Sequence, residues 1–141
     1  MPFTIDTSTD FGARVAKHLA DDQVVWLTTV RANGTPEPSP VWFLWDGEAI
    51  WVYSQDNTVK VRNITTSPAV SLNFNATEHG DDVVVITGTA EIKLDGPRAE
   101  HLPAYVSKYS GGFDSINMSP AKFSDEYSIP IRITPTNLRG F

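Results

Sequence analysis

Apolar residues recur at helical spacing near the start of the chain, where Phe11, Val15, Ala16, Leu19 and Ala20 form one stripe. Ser8 and Asp10 offer N-terminal caps, and the spacing predicts a helix over about 9–21. The period then changes. VVWLTTV at 24–30 is β-branched and aromatic, as strands are, and a second apolar run ends at Trp45. Asn33-Gly34 stands between them as a hairpin signal, and Asp46-Gly47 repeats it before AIWVYS at 49–54. The pattern predicts three strands in a meander.

The second of these strands opens with prolines at 36, 38 and 40. Alternate N–H groups of a strand face the same side, so this segment cannot donate to a neighbour there. It is therefore predicted to pair on one side only, at a sheet edge or a split in a barrel. Such a gap admits a ligand or another chain to the backbone; it equally protects an exposed edge against aggregation.

Downstream, AVSLNFNA at 69–76 alternates as a strand, and VVVITGTAEIKL at 83–94 reads as the longest one. Gly96-Pro97 opens a second helix carrying Ala99, Leu102, Val106 and Tyr109, with Pro103 placed to interrupt it. Residues 110–124, rich in Gly and Ser, predict a mobile loop or a short helix, and YSIPIRITP closes as a sixth strand. Six strands with two or three helices point to an antiparallel β-barrel with helical additions, a single domain over 1–141.

Composition narrows the function. With 40% hydrophobic and 20% charged residues the chain can bury a core, so disorder is no contender. A net charge of −6 argues against a nucleic-acid partner. Cysteine is absent, which excludes disulfides, thiolate catalysis and iron–sulfur ligation. No apolar run approaches the roughly 18 residues of a spanning helix. The opening residues lack the pattern of a secretory signal, so the expectation is a cytoplasmic protein away from membranes.

Two acid-free stretches stand out, 57–77 with Lys60 and Arg62, and the tail after Glu126 with Arg132 and Arg139. In WVYSQDNTVKVRNI, residues 51–64, a strand runs into a short segment that Asp56 or Asn57 would cap as a helix. Free amides at a helix start, a hydroxyl at Ser54 and two cations are what a phosphate needs. A solvated helix with ordinary surface bases fits the same residues.

These segments carry a resemblance. PEPSPVWFLWDG, then IWVYSQDNTVKVRNI, PAVSLNF and VVITGTAEI resemble, in order and over nearly the whole chain, the pyridoxamine-phosphate-oxidase-like split β-barrel superfamily. More narrowly they are similar to the actinobacterial branch that uses the deazaflavin coenzyme F-420. The resemblance implies an FMN-binding type of split barrel, a homodimer with cofactor in clefts between subunits, and an oxidoreductase passing hydride from reduced F-420, or alternatively FMN, to an unsaturated small molecule. It implies that Lys60 and Arg62 meet phosphate with the amides of Thr58 and Val59 and the Ser54 hydroxyl, that Gln55 stands beside them and that Asn63 braces the turn. Pro40, Val41 and Trp42 would line the tricyclic ring.

The basic residues and C-terminal substrate motif of the pyridoxamine-phosphate oxidases proper are missing from SIPIRITPTNLRGF. The haem-degrading relatives need an axial histidine, for which His18, His79 and His101 are the candidates. His18 lies off the apolar stripe and His79 in a turn, so both read as surface residues. Of four tryptophans, Trp42 is the one expected at the cofactor, the others packing in core or interface. Tyr105, Tyr109 and Phe113 are candidates for the substrate mouth, and Arg31, Arg132 or Arg139 for a polyglutamate tail on the coenzyme. No residue stands out as a catalytic acid, and a non-catalytic flavin, deazaflavin or haem carrier remains the alternative.

Overall fold

The computed structural model describes residues 3–141. Its strands are β1 (Val25–Val30), β2 (Pro36–Val41), β3 (Leu44–Trp45), β4 (Ile50–Ser54), β5 (Ala69–Asn73), β6 (Val84–Ile92) and β7 (Ile129–Gly140). They form one antiparallel sheet in the order β2-β1-β5-β6-β7-β4-β3. The two edge strands are consecutive in sequence. The sheet therefore curls until Trp42 and Phe43 alone bridge its two edges, giving a half-barrel.

This corrects the expected six strands to seven. The run ending at Trp45 is not one strand: its first part pairs with β1, and Leu44 and Trp45 pair with Trp51 and Ile50 on the far edge. The break leaves backbone groups that side chains satisfy. Phe43 N donates to the Tyr109 hydroxyl at 2.8 Å, that hydroxyl donates to the Gln23 carbonyl at 2.6 Å, and Lys108 Nζ donates to the Phe43 carbonyl at 2.9 Å.

The prolines of β2 lie opposite Val30, Thr28 and Trp26, and β2 pairs with β1 alone, as one-sided donors require. Inside the curl, Val25, Leu27, Val70, Leu72, Ile86, Ile131 and Ile133 are almost wholly buried. Each such side chain is worth about 1.5–3 kcal/mol of burial. Strand β4 is buried on both faces: Ile50 and Val52 join this core, while Trp51 and Tyr53 join a second, aromatic cluster under a helical cap.

The helices number five rather than two or three. α1 (Asp10–Asp21) is capped by Thr9, whose Oγ1 accepts from Gly12 N at 2.9 Å. Ser8 lies one residue outside the cap, its amide and hydroxyl both donating to Asp6 Oδ1. α2 (Val59–Thr66) is capped by Thr58, not by Asp56 or Asn57; Asn57 instead turns the chain at φ 58°. Pro103 interrupts the next helix as expected, separating a 3₁₀ turn (Ala99–His101) from α3 (Pro103–Lys108). The 110–124 segment folds as α4 (Ser110–Ser115) and α5 (Pro120–Glu126), the latter with Ser119 as cap and proline in its first turn. The longest strand is β7, not β6: it spans 12 residues, pairing with β4 at its start and with β6 along its length. No helix among the described residues is long and apolar enough to cross a membrane.

His18 is half-buried rather than a free surface residue. Its ring stacks on Phe74, and its two nitrogens lie 2.7 Å from Asp22 Oδ2 and 2.9 Å from Asp82 Oδ2. Burial alone would lower its pKa, but the hydrogen bonds and charges of Asp22 and Asp82 outweigh it and raise the pKa above the usual imidazole value.

Candidate cofactor cleft

A cleft of about 450 Å³ opens where β2 ends, β4 ends, α2 begins and the helical cap overhangs. The sheet brings these together because the end of β2 and the end of β4 flank the break in the barrel. Pro40, Val41 and Trp42 form one wall and Tyr53, Ser54 and Gln55 the floor; Thr58 and Lys60 come from the start of α2, and Ile116, Phe123 and Tyr127 from the cap.

The α2 corner is polar and positively charged. Ser54, nearly wholly buried, donates its hydroxyl to the Gln55 carbonyl at 2.8 Å and lies 2.9 Å from Thr58 Oγ1. Lys60 is half-buried, and burial pushes its pKa below the usual lysine value with no neighbouring carboxylate to oppose the shift. The lining holds this one cation and no acidic side chain. Tyr53 cannot readily ionise, since burial raises its pKa and its hydroxyl donates to the Pro97 carbonyl at 2.7 Å.

Seven of the residues singled out in the sequence, Pro40, Val41, Trp42, Ser54, Gln55, Thr58 and Lys60, line this cleft. Three do not. Val59 is 38% exposed, and Arg62 turns away to donate to the Asn57 carbonyl at 2.6 Å and to its side chain at 3.2 Å. Asn63 is buried beneath the turn, where its Nδ2 donates to Thr29 Oγ1 at 3.0 Å and ties α2 to β1. Trp42 is held by the chain's own rings, stacked on Tyr109 at 4.4 Å and on Phe123 at 5.5 Å.

Tyr105, Tyr109 and Phe113 are buried inside the cap and do not reach the cleft. None of Arg31, Arg132 and Arg139 lines it. Arg31 pairs with Glu37, Arg132 reaches Thr134 Oγ1 at 3.2 Å, and Arg139 lines a separate groove with Trp26. Sequence reasoning missed Tyr53, Ile116, Phe123 and Tyr127 as lining residues. SPAKFSDEY carried a usable signal, a Ser-Pro helix start followed by aromatics four residues apart.

A curled antiparallel half-barrel with a mixed aromatic and cationic cleft at its break is the class of fold this chain presents. Residues 11–137 match the family model described as pyridoxamine 5'-phosphate oxidase, and the chain belongs to that family. No curated protein matches it. Among solved structures, one described as an F420 reductase is 25% identical, with a TM-score of 0.61 over 87% of this chain and 94% of that one. HutZ, the heme storage protein from Vibrio cholerae, is similar in fold at 16% identity and a TM-score of 0.65, over 94% of this chain and 95% of its own. HupZ from Group A Streptococcus is similar at 21% identity and a TM-score of 0.62, over 86% and 87%.

Proposed function

We propose that this chain is a cytoplasmic oxidoreductase that holds a phosphate-bearing flavin-type cofactor, coenzyme F-420 ahead of FMN, and reduces an unsaturated small molecule. The observation that carries this reading is Lys60. A partly desolvated ammonium with no counter-charge is costly to keep, and a phosphate in the cleft would supply the missing partner.

Around it the chain offers the donors such a group needs. The Gln55 side chain stands at this corner with the Ser54 and Thr58 hydroxyls, which bond to the Gln55 carbonyl and to each other in the free chain and would turn toward a phosphate on binding. The amides of Val59 and Lys60 open α2, whose axis Thr58 fixes by capping Val61 N. Arg62 adds positive charge from outside the cleft, and Asn63 braces the turn that aims Lys60. Pro40, Val41 and Trp42 would flank the tricycle, where the open side of β2 leaves backbone carbonyls unengaged. A bound flavin or deazaflavin supplies the hydride chemistry, and the protein supplies position and an apolar wall that sheds water.

The 25% identity with an F420 reductase supports the order of the two cofactors. Titration of the apoprotein with F-420 and FMN tests it. Tighter F-420 binding is expected; a yellow, FMN-loaded preparation would reverse the choice. A carrier role is the second reading, favoured by the lack of any histidine or carboxylate in the cleft lining. Stopped-flow oxidation of reduced cofactor by enones and quinones separates the two, since a carrier shows tight binding without turnover. Haem is disfavoured because none of His18, His79 and His101 lines the cleft and both ring nitrogens of His18 are engaged by carboxylates, so no Soret band is expected on haem addition.

We propose a homodimer as the working form, without nucleic-acid or membrane partners. Register places Trp26, Val30, Pro36, Pro38, Pro40 and Val85 on the outer face of β2-β1-β5-β6. Sedimentation at micromolar concentration would show a dimer, and a monomer would refute this.

A further inference from the structure

Four rings of the helical cap stand in one column: Tyr109, Trp42, Phe123 and Tyr127. Their centroids are 4.4, 5.5 and 4.5 Å apart and their planes differ by 8°, 18° and 15°. The other aromatic pairs of the cap are tilted or edge-on, such as Tyr53–Tyr105 at 85° and Phe113–Phe123 at 69°. Within the cap, parallel stacking is thus confined to this column. One end, Tyr109, is wholly buried. The other, Tyr127, is half-buried and reaches the cleft, with no ring beyond Phe123 stacked on it among the described residues.

A ring at the end of a parallel column offers a face whose preferred partner is another flat ring, offset and parallel. The wall around it is apolar, with Ile116 at the rim and Phe123 behind, and the lining has no carboxylate to hold a cationic ligand. We propose that Tyr127 is the platform on which a planar, conjugated, neutral or anionic substrate stacks. The substrate part of this assignment rests on the cofactor reading above, with phosphate at the Lys60 corner. Tyr127 follows the last turn of α5, whose start is fixed by Ser119 and Pro120, so the platform is held on a short rigid element. It acts through its ring face, so size and flatness of the acceptor, rather than a hydrogen bond from the hydroxyl, set selectivity.

The test uses equilibrium dialysis of the full chain with menadione, a flat fused-ring quinone, and cyclohexenone, a small puckered enone, with and without bound cofactor. Tyr127→Leu keeps apolar bulk but removes the ring; Tyr127→Phe keeps the ring and serves as rescue. Tyr127→Leu is expected to weaken menadione binding about two- to tenfold, the worth of one aromatic stack. Cyclohexenone binding should stay within twofold, and Tyr127→Phe should restore menadione affinity. Unchanged menadione binding in Tyr127→Leu, or an equal loss for both acceptors, would overturn the platform. A loss of FMN and F-420 affinity in Tyr127→Leu would assign the ring to the cofactor and overturn it too. Failure of the underlying reading shows elsewhere, as cofactor affinity indifferent to Lys60→Ala, while dialysis without cofactor still decides whether Tyr127 binds flat rings.

Discussion

Lys60 is a residue whose removal should help the fold and harm the function. Its ammonium is half-buried and lacks a carboxylate, and the direction of its pKa, downward through burial, records that the charged form is penalised in the free protein. Lys60→Met keeps the aliphatic stem and deletes the charge. The apoprotein should melt at the same or a higher temperature, because an uncompensated charge has been replaced by apolar surface. Phosphate binding should move the other way. A charge-assisted contact is worth about 1–3 kcal/mol, which is about five- to 150-fold in Kd. Arg62→Ala should cost less than Lys60→Met, because its guanidinium is engaged by Asn57 and faces away from the cleft. Fluorescence titration with F-420 and FMN, paired with differential scanning calorimetry of the apoprotein, reads both quantities. The affinity loss should shrink at high salt, where the contact is screened. A lower melting temperature with unchanged cofactor affinity would refute the reasoning, since it would make Lys60 a structural residue.

Three further outcomes follow from named contacts. The folded pKa of His18 is raised, so its contribution to stability is full below the unfolded imidazole pKa and fades as pH rises through the folded value. His18→Phe, which keeps a ring against Phe74, should therefore lose its deficit relative to wild type in thermal melts as pH rises from below the usual imidazole pKa to well above it; a deficit constant with pH would exclude the linkage. Asn63→Ala strands the buried Thr29 hydroxyl and should cost about 1–3 kcal/mol in urea denaturation, with Thr29→Val in the double variant recovering part of it. Tyr109→Phe removes the acceptor of the buried Phe43 amide and should cost a similar amount, about 1–3 kcal/mol, with a shift in tryptophan emission as the ring stacked on Trp42 loses its hydroxyl tether.

The strands were legible because local chemistry announced them. Asn33-Gly34 and Asp46-Gly47 place the two glycines at φ 90° and 95°, and the hairpins close where the dipeptides stand. The prolines of β2 announced one-sided pairing for the same reason, a missing donor. The break at Trp42–Phe43 was not legible, since VWFLW is an uninterrupted apolar run and only the pairing partner changes. Residues 110–124 left a mobile loop and a short helix both open because Gly111, Gly112 and the Ser residues have low helix propensity, and burial of Phe113 and Phe123 decides for helix, in two pieces. The readable part of the cleft, seven of its eleven lining residues, was therefore the part built from two short segments, 40–42 and 54–60. The aromatic wall comes from residues some sixty positions downstream, and no local pattern ties Phe123 or Tyr127 to Ser54.

The break ties stability to the site. Alternation sends Phe43 into the barrel core and Trp42 out into the cap, at the one point where the chain passes from one sheet edge to the other. Ladder hydrogen bonds cannot span that passage, so the Tyr109 hydroxyl and the Lys108 ammonium replace them. Lys108 accepts a cost in doing so, since burial lowers its pKa to about 8 despite the opposing charges of Asp22 and Asp21, and a cation–π contact 3.5 Å from the centre of the Phe43 ring offsets part of it. The same tyrosine that closes the barrel also carries the first ring of the column that ends at Tyr127. Closure of the sheet and placement of the cleft's aromatic wall are therefore one mechanical unit. Loosening Tyr109 is expected to free Trp42, on which Phe123 stacks, and Phe123 in turn stacks on Tyr127.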